Sequence, residues 1–406
     1  MIKGRDIIIV GQQAWDVEIG SNCKDIALEF CKDNRVLYVN PALDRITKMR
    51  NSKDPKVIKR LAIINGQKTG LIKVKKNLWI YYPDVLIESI NWIRIHKLFL
   101  FFNNKNNQRI ASSINKAIRK IRFKNFLLFN DSDIFRSFHL KELLTPTTTI
   151  YYSRDNIIAT EYWKRHGQKL EPELIRKSDL CVANSQYLVN YCKKYNSNSY
   201  YVGQGCDFTI NPNVDLSVMP DELKAIQNPI VGYVGTLTSS RLSIQLIEYI
   251  ATNAPYWNIV LVGPEDEDFK ASSLHKLKNV FFLGPKKPML LFQYINAFDV
   301  CINPQALNQL TIGNYPRKID EYLLMGKPIV ATYTQTMESF SNHVFLAKDN
   351  EEFVGQIAKA LLLNDKALSD ARMKFAFTHS WENSVKAIFE CIVRHQTLSE
   401  TNQINL

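Results

Sequence analysis

INPQALNQLTIGNYPRKIDEYLLMGKPIVAT, residues 302–332, determines the fold class, because it predicts a strand end, a loop, a short helix and another strand. Pro316 suits the first turn of a helix, where its missing N–H costs nothing. Gly326 followed by Lys327 and Pro328 is a typical helix stop. We therefore predict that this stretch is one unit of an alternating α/β array.

The predicted helix in this stretch has two faces. Ile319, Tyr322 and Leu323 have the spacing of a core-facing side, whereas Lys318 and Glu321 share the other side. Free N–H groups at the helix start suit a phosphate, and the acceptor-only Glu321 carboxylate suits the vicinal hydroxyls of a ribose. A surface helix with a solvated Lys/Glu pair is an equally good interpretation of these residues alone.

Residues 316–332, PRKIDEYLLMGKPIVAT, resemble the P-x-K-x-x-E-Y-L-x-x-G-K-P-V-V-A-T stretch of the group-1 (family 4-like) glycosyltransferases. The resemblance implies an α/β protein of GT-B architecture, with two Rossmann-like domains and an interdomain cleft. It also implies that Glu321 holds the ribose of a nucleotide-sugar donor, and that the loop with Asn314 and Tyr315 approaches the diphosphate and the sugar. Gly313 stands where many members carry a second glutamate.

Length and composition limit the class of protein. A chain of 406 residues favours two domains over one hydrophobic core. A hydrophobic content of 46% with 22% charged residues is typical of a soluble globular protein. The N-terminal apolar run is too short for a signal peptide, and no stretch reaches the roughly 18 apolar residues that span a bilayer. We therefore expect a cytoplasmic protein, and seven scattered cysteines favour reduced thiols over disulfides or a zinc site.

The net charge of +13 is concentrated in one region of the first half. Residues 44–124 contain 20 Lys/Arg and 4 Asp/Glu, an excess of 16, so the remainder of the chain sums to −3. Such a region attracts a polyanion or an anionic membrane surface, which would place the protein on the inner face of the membrane. A lysine-rich solvated surface explains the charge equally well. The sequence lacks the motifs of RNA-binding modules, so nucleic acid is not an expected partner.

The first half of the chain predicts a parallel sheet. Apolar runs closed by turn residues predict strands at residues 7–10, 35–40, 78–82, 126–129, 149–152, 179–183 and 199–202. Helical spacing predicts helices at residues 22–33, 107–122 and 186–195. Residues 90–102 fit a strand or a buried helix, and residues 44–77 are expected to form an irregular excursion.

Two neighbouring predicted strands end in polar residues that should meet at one edge of this sheet. The candidate acid/base residues there are Asp133, Asp155 and His139, with Asp131 beside them. A direct inverting displacement needs one of them as a base, whereas a retaining transfer needs another path. Any single aspartate there has the alternative role of a helix cap, but we expect at least one of the group to act in catalysis.

The loop after the first strand contains Gln12, Trp15 and Asp16, at the edge where open α/β sheets bind ligands. In the group-1 glycosyltransferases the equivalent loop commonly faces the acceptor. The resemblance therefore assigns these three residues, with Arg154, to the acceptor side.

From residue 229 the chain alternates between strands and helices. The predicted strands are residues 230–234, 259–262, 280–283, 300–302 and 329–331. The predicted helices are residues 242–253, 288–298, 317–325, 352–363 and 381–395. Gly235, Gly263 and Gly284 each follow a strand, and three glycines at matching points predict a shared ligand crevice.

The loop after the first of these strands resembles the donor-domain entry loop of the family. Many members have arginine where Thr236 stands, so the charge that neutralises the diphosphate must come from Arg241, Arg317 or Lys318.

The resemblance also suggests domain limits. Residues 1–207 form the acceptor domain, 208–228 the linker and 229–380 the nucleotide-sugar domain. A final helix within residues 381–406 is expected to cross back to the first domain.

The leading hypothesis is a metal-independent glycosyltransferase without a cofactor. It would move a hexosyl group from a nucleoside-diphosphate sugar to a surface glycan or a lipid-linked oligosaccharide, as in polysaccharide biosynthesis. The alternatives are a non-catalytic basic binding module on a GT-B scaffold and a nucleotide-sugar epimerase.

Overall fold

A computed structural model shows two compact units. Unit 1 comprises Met1–Gly203 and Ser384–Leu406, and unit 2 comprises Gln204–Asn383. The residues that the structure describes are 2–17, 21–206 and 215–404, with side chains up to residue 397. Part of the predicted linker, residues 208–214, lies outside these ranges.

Unit 1 is built on an eight-stranded sheet in which each predicted strand is present. Its strands are β1 Asp6–Gly11, β2 Arg35–Val39, β4 Leu71–Lys75, β5 Leu78–Tyr81, β7 Leu127–Asp131, β8 Thr148–Ser153, β9 Leu180–Ala183 and β10 Ser199–Tyr201. The spatial order is β10-β9-β8-β7-β1-β2-β5-β4, and every pair is parallel except β4 with β5. The chain winds outward in both directions from β1, so the topological switch point lies between β1 and β7.

Helices surround this sheet, and two further strands, β3 Leu43–Asp44 and β6 Leu86–Ile87, pair with each other. The helices of the first half are α1 Asn22–Phe30, α2 Arg45–Arg50, α3 Pro55–Ile64, α4 His96–Ile121, α5 Leu140–Leu144, α6 Glu161–Lys177 and α7 Gln186–Lys193. The predicted cap Ser185 accepts a hydrogen bond from the Leu188 N–H at 3.3 Å, which fixes the start of α7.

One expectation for unit 1 was wrong, and one that was left open is decided in favour of a helix. Residues 44–77 contain two helices and a strand instead of an irregular excursion, because Asp44 and Asp54 cap α2 and α3. Residues 96–121 form one helix of 26 residues. It begins inside the segment interpreted as a strand or a buried helix, because Phe99 and Asn103 continue the buried face of the amphipathic part.

Unit 2 is built on a six-stranded parallel sheet. Its strands are β11 Ile230–Val234, β12 Asn258–Val262, β13 Val280–Gly284, β14 Val300–Asn303, β15 Ile329–Thr332 and β16 Phe345–Ala347. The order β13-β12-β11-β14-β15-β16 is that of a Rossmann sheet, with its switch point between β11 and β14. The sequence predicted the first five strands and missed β16, which has only three residues.

The helices of unit 2 pack on both faces of this sheet. They are α8 Ile244–Asn253, α9 Glu267–Lys270, α10 Leu291–Ala297, α11 Lys318–Leu324, α12 Asn350–Leu362 and α13 Lys366–Phe377. One buried cluster joins α8 and α12 to the sheet, and a second joins α10 and α11 to its other face. The sequence pattern did not reveal α13, where Ala376 and Arg372 are the only buried residues of the helix.

The last helix, α14 Trp381–Ile404, starts in unit 2 and continues in unit 1. Phe389 of α14 stacks on Phe30 at 5.0 Å between ring centroids, within unit 1. Residues 405–406 of the predicted final segment lie outside the described ranges. In the described part of the chain, each helix is too short or too polar to cross a bilayer.

Candidate active site

The carboxyl ends of β11 and β12 approach each other through two glycines. Gly235 and Gly263 have φ angles of +144° and +154°. The Gly235 N–H donates to the Val262 carbonyl at 2.8 Å. A Cβ on Gly263 would lie 1.9 Å from the Gly235 carbonyl oxygen, so a side chain cannot be accommodated there.

Lys318 lies over the first of these glycines. A Cβ on Gly235 would lie 1.9 Å from Lys318 Cε and 2.3 Å from its Nζ. The ammonium group also lies 5.3 Å from the centroid of the Tyr233 ring, within the range of a cation–π interaction. Because Gly235 has no side chain, the ammonium group of Lys318 can lie at the end of the central strand, β11.

Glu321 follows one turn later on α11. It is partly buried, and no described residue gives its carboxylate a hydrogen bond or an ion pair. Burial raises the pKa of Glu321, while the charges of Lys318 and Arg317 oppose that rise. A half-buried acceptor without a partner, close to a lysine ammonium, is suited to a ligand with hydroxyl groups beside an anionic group.

Behind this face, three side chains tie α11 to the end of α13. Tyr315 OH donates to Asp320 Oδ2 at 2.9 Å, and His379 Nδ1 lies 2.7 Å from Asp320 Oδ1. Burial raises the pKa of Asp320, against the hydrogen bond and charge of His379. The sequence predicted that Tyr315 approaches the donor, but its ring lies in the apolar core and its hydroxyl binds Asp320. Tyr315 is thus a support for the helix that carries Lys318 and Glu321.

The loop after β11 lies against the loop after β14. The Ala306 N–H donates to the Arg241 carbonyl at 2.9 Å, and Asn308 Nδ2 donates to the Ser240 carbonyl at the same distance. The side chains of Thr236 and Arg241 are exposed on this loop. Arg241 is therefore accessible to a ligand, as the predicted source of charge must be.

Two other predicted donor residues lie at the ends of neighbouring elements. Gly284 ends β13 beside Val262 of β12, with a φ angle of +66°, and a Cβ at this position would have no atom within 4 Å. The Asn314 N–H donates to the Thr311 carbonyl at 3.0 Å, and its side chain is partly buried. Both positions belong to the carboxyl edge of the sheet, where the sequence placed them.

Sequence reasoning missed three supporting residues. Asp320 and His379 are far apart in the chain, so their contact leaves no local pattern. Tyr322 was assigned only to the core, but its hydroxyl also accepts from the Val234 N–H at 2.9 Å. A tyrosine in a run of aliphatic residues is the one signal that could have revealed this bond, because a buried phenol needs a partner.

In unit 1 the ends of β7 and β8 do meet, as predicted, because Asp131 pairs with Tyr152 in the parallel register. Arg154 donates to Asp131 Oδ1 at 2.8 Å and to Asp155 Oδ2 at 3.1 Å. Burial raises the pKa of Asp131, which the charge of Arg154 opposes. The partly buried Asp155 is the candidate base that shares this edge with an arginine.

The other two candidate catalytic residues have structural partners. Asp133 caps the turn that follows it, accepting from the Arg136 N–H at 3.0 Å and from Arg136 Nε at 2.7 Å. His139 packs edge-on against Phe138, and burial lowers its pKa, with the charge of Lys177 adding to the effect. Since Lys177 ends α6 just before the amino end of β9, His139 lies away from the carboxyl edge that holds Asp155.

The predicted acceptor-side loop is held by three contacts. Gln12 Nε2 donates to the Ser132 carbonyl at 2.5 Å, and the Trp15 ring packs edge-on against Tyr38. Asp16 pairs with Arg60 at 3.0 Å. Burial raises the pKa of Asp16, but the hydrogen bonds and charge of Arg60 outweigh it and lower the pKa overall. Asp16 is therefore an anchor for α3, and Gln12 and Trp15 border the same sheet edge.

Comparison with known protein families finds a match within unit 2. The family model described as "Glycosyl transferases group 1" matches residues 228–363. Residues 228–363 are a group 1 glycosyltransferase domain. The transferase domain contains Gly235, Gly263, Lys318 and Glu321, so the resemblance found in the sequence is confirmed for the part of the chain that carries the motif.

A related protein of Bacillus subtilis (strain 168) is 24% identical over 243 residues. Its name assigns it, provisionally, to teichuronic acid biosynthesis as the glycosyltransferase TuaH. The match extends beyond the transferase domain to 56% of this chain and covers 60% of the relative's own length.

Solved structures share the fold of the whole chain. HepE of Anabaena, in complex with UDP, is 15% identical with a TM-score of 0.65, over 96% of this chain and all of that one. Sucrose-phosphate synthase of Thermosynechococcus elongatus is 12% identical with a TM-score of 0.67, over 98% of this chain and all of that one. The predicted α/β fold of GT-B type, with one Rossmann-like sheet in each unit, is therefore confirmed.

Proposed function

We propose that the chain is a glycosyltransferase that moves a hexosyl group from a nucleoside-diphosphate sugar to a surface glycan or a lipid-linked oligosaccharide. The observation that carries the proposal is the pair on α11. Lys318 lies over Gly235 at the end of the central strand, and Glu321 has no polar partner among the described residues. HepE, solved in complex with UDP, supports the donor end of the reaction, and TuaH, named for teichuronic acid biosynthesis, supports the acceptor end.

The chemistry requires stabilisation of a nucleoside-diphosphate leaving group. In the proposed complex, the Lys318 ammonium and the exposed Arg241 guanidinium neutralise the diphosphate. Because two cations of the chain supply this charge, the proposed reaction needs neither a bound metal ion nor a cofactor. Glu321 accepts hydrogen bonds from the ribose hydroxyls, as the family resemblance suggests.

Unit 1 would supply the group that receives the proton of the acceptor hydroxyl. Asp155 is the proposed base for an inverting transfer, because it lies at the carboxyl edge and its carboxylate binds the neighbouring Arg154 through a single oxygen. Asp133 and His139 are weaker candidates for the same base. Asp133 is held by Arg136, and His139 packs beside Lys177.

A panel of nucleoside diphosphates tests the donor site. UDP, GDP, CDP and ADP are each added to the full chain, and the melting temperature is measured. We expect one of them to stabilise the protein by about 2.7 kcal/mol at a hundred times its dissociation constant. Glu321→Ala should weaken that binding, whereas Glu351→Ala, at an exposed site on α12, should leave it unchanged. Equal affinity of both variants would remove Glu321 from the site.

Turnover separates the enzyme from its alternatives. The matching nucleotide sugar, radiolabelled in the sugar, is incubated with the protein and a glycan or lipid-linked acceptor, with and without EDTA. Transfer of label that EDTA does not reduce supports the metal-independent enzyme. Diphosphate binding without transfer or hydrolysis would instead favour the non-catalytic module, and conversion of the sugar to its epimer would favour the epimerase.

The proposed place of action is the cytoplasmic face of a membrane, with peripheral attachment through residues 44–124. The support is the charge of that region, whose lysines and arginines are mostly exposed.

A further inference from the structure

Unit 1 contains a cavity of about 620 Å³ that Gln12 of the acceptor-side loop borders. It lies among α2, the segment before α4, and α6. Its lining is mixed, and apolar and cationic side chains are prominent in it. The apolar residues include Ile46, Ile87, Ile90, Trp92, Phe135 and Trp163, and the cationic residues are Arg50, Arg136 and Arg165. We call this cavity the arginine pocket.

The positive charge of the arginine pocket is not cancelled within it. Two acids also line it, and Arg136 pairs with Asp133 at 2.7 Å. The charges of Arg50 and Arg165 therefore face one carboxylate, that of Asp44, which has no ion-pair partner among the described residues. Asp44 caps α2 by accepting from the Thr47 N–H at 3.0 Å. Glu88 pairs with Arg45 at 2.6 Å and with Arg109 at 3.0 Å. In contrast, the exposed Arg50 and Arg165 form no ion pair with any described residue. The pocket therefore favours an anion.

A buried amide gives a second, independent sign of a ligand. Asn103 lines the pocket and is 1% exposed, yet its Nδ2 has no hydrogen-bond partner among the described residues. A buried donor without a partner is costly, so it suits an acceptor atom that is supplied from outside. Phosphate oxygens are such acceptors, and the planar guanidinium matches their geometry.

Large apolar side chains are exposed around the start of α4, and one of them also lines this pocket. Trp92, Ile95, Leu98 and Phe101 are 67%, 67%, 44% and 56% exposed, and we call them the apolar fringe. Trp92 belongs to both the pocket and the fringe. Exposed cations, Arg94, Lys97 and Lys105, lie between and beside the fringe residues in the sequence. Apolar side chains mixed with lysine and arginine at a helix start are typical of a segment that lies in the interface of an anionic bilayer.

We propose that the arginine pocket binds the phosphate headgroup of an anionic lipid, while the apolar fringe enters the bilayer surface around that lipid. The proposal deepens the membrane and acceptor side of the proposed function, and it does not depend on the donor site. The cavity is larger than a free phosphate ion needs, and exposed apolar side chains do not bind a free ion. A lipid, with a phosphate group and acyl chains, is the occupant that fits both the pocket and the fringe. The pocket and the fringe lie mainly in residues 44–124, where the family resemblance hardly extends.

Vesicle binding by the full chain tests the proposal. Affinity is measured for phosphatidylcholine vesicles with and without phosphatidic acid, and for soluble short-chain phosphatidic acid. The pocket variant is Arg50→Ala with Arg165→Ala. Its control, Arg119→Ala with Lys120→Ala, removes the same charge from the exposed end of α4, roughly 30 Å from Leu98 along the helix. The fringe variant is Leu98→Gln with Phe101→Gln, and its control is Leu362→Gln with Leu368→Gln, at exposed sites of unit 2.

We expect the wild-type chain to bind vesicles only when they contain phosphatidic acid. The pocket variant should lose at least about tenfold in affinity for the vesicles and for the soluble lipid, because charged hydrogen bonds are lost. The fringe variant should lose affinity for vesicles and keep it for the soluble lipid. The fringe control should bind like the wild type. The charge control should keep its affinity for the soluble lipid, because it removes charge from the basic region but not from the pocket.

Three results would overturn the proposal. Equal losses in the pocket variant and its charge control would mean that the whole basic surface attracts the membrane without a site. Competition by inorganic phosphate at the same concentration as the soluble lipid would identify a free-phosphate site. Binding of an acidic glycan, but of neither lipid form, would make the ligand a carbohydrate. Stabilisation by the nucleoside diphosphate, measured in the same variants, tests the donor site separately.

Discussion

At Gly235 a missing side chain leaves the room that the end of Lys318 occupies, so Gly235→Ala tests the geometry of the donor site. The new Cβ would lie 1.9 Å from Lys318 Cε, and the φ angle of +144° is unfavourable for alanine. We expect a loss of stability of about 1–3 kcal/mol and weaker binding of the diphosphate. Denaturant titration and calorimetry measure the two effects.

Gly355→Ala is the matched control for this substitution. Gly355 lies inside α12, and its Cβ would have no atom within 4 Å. Alanine there should stabilise the protein by about 0.5–1 kcal/mol and leave nucleotide binding unchanged. A Gly235→Ala protein that binds the diphosphate as well as the wild type would show that the position of Lys318 is not needed.

Glu171 predicts a pH dependence of stability. It is 2% exposed, and its carboxyl group accepts from Tyr151 OH at 2.6 Å and from Tyr191 OH at 3.1 Å. Burial raises its pKa from 4.5 to about 7, although both hydrogen bonds oppose the rise. Between these two pH values the folded state keeps a proton that the unfolded state has released. Its contribution to the free energy of unfolding therefore falls as the pH rises, and levels off above about pH 7.

Glu171→Gln removes this titration and can still bond to both tyrosines. The stability of the variant relative to the wild type should increase by on the order of 3 kcal/mol between acidic pH and pH 8, by denaturant unfolding. Glu173→Gln, at an exposed position of the same helix, should give no such trend. A difference that does not change with pH would contradict the buried, protonated carboxyl group.

The sequence indicated the candidate donor residues that lie within one helical turn or at strand ends, and their role in donor binding stays a prediction. Lys318 and Glu321 are three residues apart, and glycines at strand ends leave a visible pattern. The sequence assigned Tyr315 to the donor, whereas its hydroxyl donates to Asp320. Asp320 is buried beneath the helix, so the sequence pattern did not show this contact. Contacts such as Asp320 with His379 depend on how α13 packs, and local propensity carries no information about that packing.

Among the elements, α11 depends on its buried anchor. Asp320→Ala would remove the carboxylate that Tyr315 OH and His379 Nδ1 share inside unit 2, and the contact between these two atoms is longer, at 3.3 Å. We expect a loss of about 2–4 kcal/mol, because removing one partner of a buried polar cluster weakens the hydrogen bonding of the others. Chemical denaturation measures it.

Asp370→Ala is the control, since Asp370 is exposed on α13 and forms no ion pair with the described residues. Its effect should stay within about 0.5 kcal/mol. If Asp320→Ala were equally mild, the anchor would contribute little to the helix that carries Lys318.

Elements with a strong apolar period were predictable, and elements with a weak one were not. Strands such as β1 and β11 are fully buried and read as continuous apolar runs. In contrast, α2 has no buried residue and α3 has only Val57 and Ile63, so neither presents a wide apolar face to the sequence. The start of α4 was ambiguous because its exposed apolar fringe obscures the helical period.

At the scale of the whole molecule, the return of α14 makes the stability of unit 1 depend on a helix that follows unit 2 in the sequence. Phe389 is 3% exposed and stacks on Phe30, which is 1% exposed. Phe389→Ala should cost about 3–5 kcal/mol. Hydrogen exchange should show faster opening of β1, β2 and β7, with little change in β11 and β12. Val393→Ala, 49% exposed on the same helix, is the control and should leave exchange unchanged. Equal acceleration in both units would contradict the assignment of α14 to unit 1.

This return also sets an order of events during synthesis on the ribosome. About 180 residues of unit 2 separate the two segments of unit 1, and translation at roughly 5–20 residues per second takes on the order of ten to forty seconds to produce them. Throughout that interval the nascent chain presents the Phe30 surface uncovered, while unit 2 is still emerging. Unit 1 therefore reaches its final form only after α14 has left the ribosome, and the surface around Phe30 is where a ribosome-associated chaperone would be most useful.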